Sequence, residues 1–424
     1  RFEHPDLGRV GEGGRLLPGY DFVSGETPTS FQTANDGDGW DPDPSDPGDW
    51  VSDEDRQQAL FRTCGREDSS WHGTRVAGML GAVTNNGTGM AGGTWSGRVL
   101  PVRVLGKCGG YDSDIIAGMR WAAGISVPGV PANPHPAKVL NMSLGGVGTC
   151  TQAYRNVISQ LTAAGVVVVA AAGNVAGGAV EVPARCPGVV AVNGLRHVGT
   201  KVGYSSLGPE VTIAAPAGNC VNDSGPCLRS LPTTTNLGLE TPGASGYLDQ
   251  WSPRPNLGTS FAAPIVTVVV ALMHGVNANL RPAELVARLQ ASATPFPAPD
   301  PTLPTCPSLA PITSQCNCTA TTCGAGMANA AGAVAAALNP IARIATPAST
   351  AAGVTVTLDG TASAAARGRT ITTYAWTVAS GPAGVEIADA GSATASVVAP
   401  GDGRATLRLT VTDDEGRTDA ATLE

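Results

Sequence analysis

Six consecutive apolar residues, Val166 to Ala171 (VVVVAA), restrict what this chain can fold into more than any other feature. An unbroken run of that length suits a strand buried on both faces, as in a parallel sheet. The flanking pattern agrees. From about 71 to 295, short apolar runs alternate with stretches of helical period. Val99 to Leu105 (VLPVRVL), Lys138 to Met142, Val189 to Val192 and Val211 to Ala214 read as further strands. Asp114 to Ala123 with Ser113 as its N-cap, Tyr154 to Ala164 ended by Gly165, Phe261 to His274 and Pro282 to Ala293 read as helices. This alternation predicts an α/β fold with a doubly wound, mostly parallel sheet and flanking helices. Such sheets hold ligands at the carboxyl ends of their strands.

Two segments depart from that rhythm. Asn35 to Asp53 (NDGDGWDPDPSDPGDWVSD) is a Gly/Pro/Asp loop, incompatible with a helix or a central strand. Pro295 to Cys323 is rich in Pro and Cys and reads as a cross-linked segment. After Pro340 the character changes. Thr355 to Leu358, Thr372 to Val378, Ser396 to Ala399 and Thr406 to Thr412 alternate with period two, with turn signals such as Asp414-Glu415-Gly416 between them. They predict a small all-β sandwich over 340–424, cut short inside its last strand, behind a larger domain over 1–339. Tyr374 and Trp376, at alternate strand positions, read as sandwich core.

Composition narrows the chemistry. The net charge is -8 with no basic cluster, which disfavours nucleic acid as a partner. The ten cysteines form no CxxC pair and only five histidines are present, so disulfides in an oxidising compartment are expected rather than zinc. The run Phe261 to Met273 is too short to span a bilayer. The opening RFEHPDL has neither region of a signal peptide.

Three places carry reactive residue types. In Gly258-Thr259-Ser260-Phe261-Ala262-Ala263-Pro264, a serine opens an apolar helix after a glycine turn. Free N–H groups and the positive dipole end there favour an oxyanion beside the serine, although serine is also an ordinary N-cap. In Ser70 to Gly78, His72 precedes a Gly-rich helical segment. Alone it reads more readily as structural; beside a serine nucleophile it is a base of suitable pKa. Asn174 follows the run Val166 to Gly173 at its carboxyl end. It is either a turn residue or a neutral donor to developing negative charge.

Taken in order, HGTRVAG (72–78), NMSLGG (141–146), AAAGN (170–174) and GTSFAAP (258–264) resemble the blocks of the subtilase family. The resemblance covers residues 1 to about 340, including RFEHPDL and LPVRVL. It implies a subtilisin-like fold and a secreted serine endopeptidase acting through an acyl-enzyme. Ser260 would be the nucleophile, His72 the general base and acid, and Asn174, with the Ser260 N–H, the oxyanion hole. A non-catalytic subtilase-like peptide-binding protein is the alternative, and it would need none of these three. The family also carries an aspartate in an Asp-(Ser/Thr)-Gly block just upstream of a His-Pro-Asp-Leu-like segment. Here His4-Pro5-Asp6-Leu7 is present, so the aspartate is expected a few residues before Arg1, and the chain as written is expected to be inactive.

The resemblance assigns further sites. An extended protein or peptide substrate would pair with Ser143, Leu144, Gly145 and Gly146. Ala171, Ala172 and Gly173, behind Leu144 and Gly145, would line a roomy primary pocket with broad apolar or aromatic P1 preference. Thr84 to Gly89 matches a calcium loop, with Asp6 and Asn86 as ligands of a structural Ca²⁺; it also reads as a helix-ending turn. Asp36, Asp38, Asp41 and Asp43 are a second candidate, or a solvated loop. We expect the pairs Cys64–Cys108, Cys150–Cys186 and Cys220–Cys227, while Cys306, Cys316, Cys318 and Cys323 leave their connectivity open. The β-sandwich resembles PKD-like repeats of extracellular proteins. A monomer without membrane association is expected.

Overall fold

The computed structural model of the chain describes residues 1–222, 227, 229–249, 251–252, 256–307, 312–346, 350–401 and 403–424. Their contacts divide into two compact units: Arg1–Ala271 with Ala293–Ala328, and Leu272–Ser292 with Asn329–Glu424.

In the first unit β1 (Tyr20–Asp21) lies parallel to β2 (Val102–Arg103). Four parallel strands then follow in sequence order: β3 (Val139–Met142), β4 (Val167–Ala171), β5 (Val189–Leu195) and β6 (Val211–Pro216). Every residue of β4 and β5 is buried, which is what the unbroken valine run requires. Val168 and Ala170 pack with Ile115 and Met119 of α2 (Asp112–Ala122) and with Val157, Ile158 and Leu161 of α3 (Gln152–Ala163). Val167 and Val169, which point the other way, are equally buried. The helix α1 (His72–Gly81) packs against the antiparallel hairpin of β7 (Thr233–Asn236) and β8 (Ser245–Leu248). Thr234 Oγ1 donates to the Thr74 carbonyl at 2.8 Å. Gly78 permits this approach, since a Cβ there would come within 2.2 Å of Thr234 Oγ1.

Two local expectations change. The helix α2 starts at Asp112 after Tyr111 and has no side-chain cap, so Ser113 sits inside the first turn rather than at the cap. The acids of that turn are used over longer distance. Asp112 accepts from Tyr154 Oη at 2.8 Å, and Asp114 accepts from the N–H and hydroxyl of Ser24 at 2.8 and 2.7 Å. The helix α4 runs from Thr259 to Val276, extending past the apolar run at both ends. At 18 residues it is long and apolar enough, by length and composition, to cross a membrane, contrary to the reading of the run alone; most of it is buried inside the protein.

The second unit contains α5 (Pro282–Ala291), α6 (Ala330–Ala337) and two antiparallel three-stranded sheets. One has the order β10 (Ile371–Ser380), β13 (Thr406–Asp413), β14 (Thr418–Leu423). The other has β11 (Ile387–Ala388), β12 (Thr394–Val398), β9 (Thr355–Asp359). Leu358, Trp376, Val397, Leu407, Leu409 and Val411 form the core of this β-sandwich, with Tyr374 partly buried against it. The buried Trp376 indole donates to the Ser392 carbonyl at 3.1 Å. Arg343 binds Glu284 at 2.7 Å.

All ten cysteines are paired, every pair within the first unit: Cys64–Cys108, Cys150–Cys186, Cys220–Cys227, Cys306–Cys316 and Cys318–Cys323.

Candidate active site

The nucleophile candidate is the second residue of α4. Gly258, at φ 136°, turns the chain into the helix, a conformation other residues rarely adopt. Its N–H donates to Tyr204 Oη at 2.9 Å. Four residues after Ser260 stands Pro264, which has no N–H to return to the Ser260 carbonyl. That carbonyl instead accepts from Ser143 Oγ at 2.5 Å. Ser143 in turn accepts from the Asn141 amide at 2.8 Å, and Asn141 accepts from Thr267 Oγ1 at 2.9 Å. The proline of one block thus frees the acceptor that the serine of another occupies. The Ser260 hydroxyl donates to the Ser143 carbonyl at 3.2 Å.

Asn174 lies beside this turn. Its Oδ1 accepts from both the N–H and the hydroxyl of Thr259, at 2.9 and 3.0 Å. Thr259 Oγ1 accepts from the Gly173 N–H at 3.2 Å. With its oxygen committed, the amide turns its NH₂ toward Gly258, 3.6 Å from where a Cβ on that residue would lie. Among the described residues that NH₂ has no partner.

His72 opens α1 after Trp71, a buried residue in the left-handed region at φ 50°. The Trp71 indole donates to the Gly238 carbonyl at 2.7 Å. The His72 N–H donates to Ser70 Oγ at 3.2 Å, and Asp49 accepts from the N–H and hydroxyl of Ser70, both at 2.6 Å. The His72 ring packs on Phe261, the residue after Ser260, with centroids 5.4 Å apart. The fold therefore brings His72, Ser260 and Asn174 to one place. Neither ring nitrogen of His72 has a hydrogen bond among the described residues. Burial pushes its pKa down to about 4, helped by the Arg75 charge and opposed by Asp49. Asp49 belongs to the loop that the sequence pattern set aside, and only its position in space reveals it.

The residues expected to line the primary pocket also converge. Gly146 and Val182 exchange backbone hydrogen bonds at 2.9 Å, and the Glu181 N–H donates to the Ala172 carbonyl at 2.9 Å. Residues 181 and 182 thus stitch the Leu144–Gly146 wall to the Ala171–Gly173 wall. The sequence pattern gave Glu181 no role.

Asp6 and Asn86 are neighbours. Asp6 is fully buried; it accepts from the Asn86 amide at 2.6 Å and from the Met90 N–H at 2.9 Å. Thr84 Oγ1 is buried without a partner. The donor chemistry, a carboxylate, an amide and a free hydroxyl oxygen, fits a hard cation. For that, Asn86 must turn its oxygen toward Asp6. The aspartates of 36–43 do not converge. Asp36 pairs with Arg103, Asp41 accepts from the Asp43 N–H at 2.7 Å, and Asp43 accepts from the Ser45 N–H at 3.1 Å.

This fold and site can be set beside known proteins. Residues 44–315, more than half of the chain, match the subtilase family, and residues 349–424 match a PKD domain family. The chain belongs to the subtilase family. It is similar to an extracellular protease of Xanthomonas campestris, 39% identical over 330 residues, which are 76% of this chain and 48% of that protein. It is similar to an extracellular basic protease of Dichelobacter nodosus, 40% identical over 288 residues, 67% of this chain and 43% of that protein. The chain spans about half the length of these curated relatives. The solved structure of a protease from Pseudoalteromonas arctica is similar at a TM-score of 0.65 and 40% identity, covering 79% of this chain and 86% of that one.

Proposed function

We propose that this protein is a secreted serine endopeptidase that hydrolyses protein and peptide substrates through an acyl-enzyme. One observation carries the reading. Thr259, the residue before Ser260, holds the Asn174 oxygen and leaves the Asn174 NH₂ without a partner beside the nucleophile. An amide fixed in that sense is a preorganised donor for an oxyanion.

The chemistry follows. Ser260 Oγ attacks the scissile carbonyl carbon, and its proton passes to His72. The tetrahedral oxyanion is held by the Ser260 N–H and Asn174 Nδ2. Collapse expels the amine, which takes the proton from His72. Water then attacks the acyl-enzyme and gives a proton to His72; collapse of the second tetrahedral intermediate breaks the ester bond, returns that proton to Ser260 Oγ and releases the acid product. An extended substrate pairs with Ser143 to Gly146 by backbone hydrogen bonds. The partly buried Leu144 side chain supports apolar contact along the P1 side chain, with residues 171–173 offering backbone because Ala171 and Ala172 are buried.

His72 also needs a carboxylate to fix its tautomer. We assign this to an aspartate preceding Arg1. The Arg1 amino terminus donates to Thr74 Oγ1 at 2.9 Å, in the first turn of the helix that His72 opens. Arg1 therefore lies against the helix that His72 opens. The peptidase domain is assigned to 1–339 and the PKD-like β-sandwich to 340–424. Asp6, Asn86 and Thr84 are assigned to a structural Ca²⁺, whose removal by EDTA lowers the melting temperature; an unchanged melting temperature removes that site.

Labelling by a fluorophosphonate tests the central claim. In a polypeptide extended upstream of Arg1, Ser260 is labelled and the S260A variant is not. Absence of label on Ser260 overturns the proposal.

A further inference from the structure

The primary pocket has small residues on both walls, yet its far end is not apolar. A Cβ placed on Gly145 would come within 2.8 Å of Glu181 Oε2, and one placed on Gly173 within 2.7 Å of the same oxygen. These two glycines belong to opposite walls. A single carboxylate oxygen touching both lies across the slot between them and closes it.

The backbone fixes this placement. The Glu181 N–H is tied to the Ala172 carbonyl, and the next residue, Val182, is tied to Gly146 on both its N–H and its carbonyl. Glu181 is therefore anchored to one wall by its own amide and to the other through its neighbour. Both glycines are needed for the carboxylate to fit, since any side chain on either would collide with it.

The carboxylate is also unanswered. Among the described residues Glu181 has no side-chain hydrogen bond and no ion pair. The nearest cation along the chain, Arg185, is committed elsewhere; it binds Glu210 at 3.4 Å and the Gly148 carbonyl at 2.8 Å. Partial burial with nothing to offset it raises the pKa of Glu181. A half-buried carboxyl without a partner, at the end of a slot with apolar walls, is costly unless a ligand supplies the missing charge.

We infer that Glu181 is a specificity-determining residue that selects lysine or arginine as the P1 residue of the substrate. The aliphatic stem of such a side chain lies along the partly buried Leu144 and the backbone of residues 171–173, and its cationic head reaches the carboxylate at the far end. Leucine or phenylalanine in the same place covers the carboxylate without pairing it. An acidic P1 residue meets like charge. The inference rests on the peptidase reading of the same site. Small lining residues alone imply an apolar preference because they describe the walls and omit the floor.

The test uses the polypeptide extended upstream of Arg1 and a series of peptide amides differing only in P1: lysine, arginine, leucine, phenylalanine and glutamate. Lysine and arginine are expected to give kcat/KM about 10- to 100-fold above leucine and phenylalanine, the range of one charged hydrogen-bonded contact. In E181Q the advantage of lysine and arginine falls to within a few-fold of leucine, because kcat/KM for the lysine and arginine peptides drops far more than kcat/KM for the leucine peptide changes. Equal rates for lysine and leucine peptides in the unaltered protein overturn the inference. So does an E181Q variant that loses activity equally on every peptide, because that loss marks a structural role. The underlying reading fails separately. If Ser260 takes no fluorophosphonate label and no peptide is cleaved, both fall; if Ser260 is labelled and P1 is read indifferently, only the inference does.

Discussion

The two sides of the candidate site are held in opposite ways. Around Ser260 and Asn174, the hydrogen bonds that orient the groups run among Asn141, Ser143, Gly173, Thr259 and Thr267. That side is complete within the described residues. Around His72 the backbone is fixed through Ser70 and Asp49, but the ring rests on Phe261 and carries no hydrogen bond there. The candidate nucleophile and oxyanion donor are thus oriented by a helix turn and its neighbours. A base can be brought to the right place by its helix and still lack the group that sets its tautomer.

The largest test of this contrast removes the nucleophile. In the polypeptide extended upstream of Arg1, S260A is expected to lower kcat by about 10⁶-fold, the loss measured for this change in subtilisin, a member of the same family. Retained hydrolysis would place the nucleophile elsewhere.

The next effect belongs to the loose side. A polypeptide with the upstream aspartate is expected to exceed its Asp→Asn counterpart by about 10⁴-fold in kcat. The His72 titration should move with it. Without the carboxylate, burial holds the pKa at about 4. The sign follows from linkage. As pH falls below 6.5 the unfolded chain takes up a proton that native His72 refuses, so stability declines from there and levels off below about 4. With the carboxylate present, the charged form is favoured and the pKa rises. NMR titration of the imidazole reads both states. An identical pKa in the two polypeptides would show that no upstream carboxylate reaches His72.

Smaller effects probe the tight side. N174A should reduce kcat by about 10²- to 10³-fold with little change in KM, since the donor acts on charge formed in the transition state. T259V removes one of the two bonds to the Asn174 oxygen and should cost about 3- to 10-fold in kcat. If T259V equals the unaltered protein, the backbone bond from residue 259 suffices to aim the amide.

Legibility in the sequence follows the same division. The parallel sheet was readable because burial on both faces leaves an unbroken valine run at Val166 to Val169. The β-sandwich was readable from period-two alternation. The hairpin of β7 and β8 was not: TTTN and SGYL carry almost no apolar contrast, because their threonines bond the α1 backbone rather than fill a core. Block order singles out His72, Asn174 and Ser260 as candidates, each ambiguous alone. Asp49 and Glu181 were invisible for a different reason. Each acts through a contact with residues distant in sequence, and neither belongs to a block. Ser113 is not the cap because the helix already starts at Asp112, after an extended Tyr111 that offers no capping side chain.

The five disulfides close loops of 44, 36, 7, 10 and 5 residues. On the proposed peptidase reading, self-digestion is the standing hazard, and exposed loops are where it starts. The Cys64–Cys108 ring encloses α1, and so His72. A backbone break inside that ring nicks the polypeptide without releasing a fragment. The severed ends stay tethered at a high effective concentration, and the helix bearing His72 remains covalently attached on both sides of the break. Damage of this kind would show on a gel only after reduction.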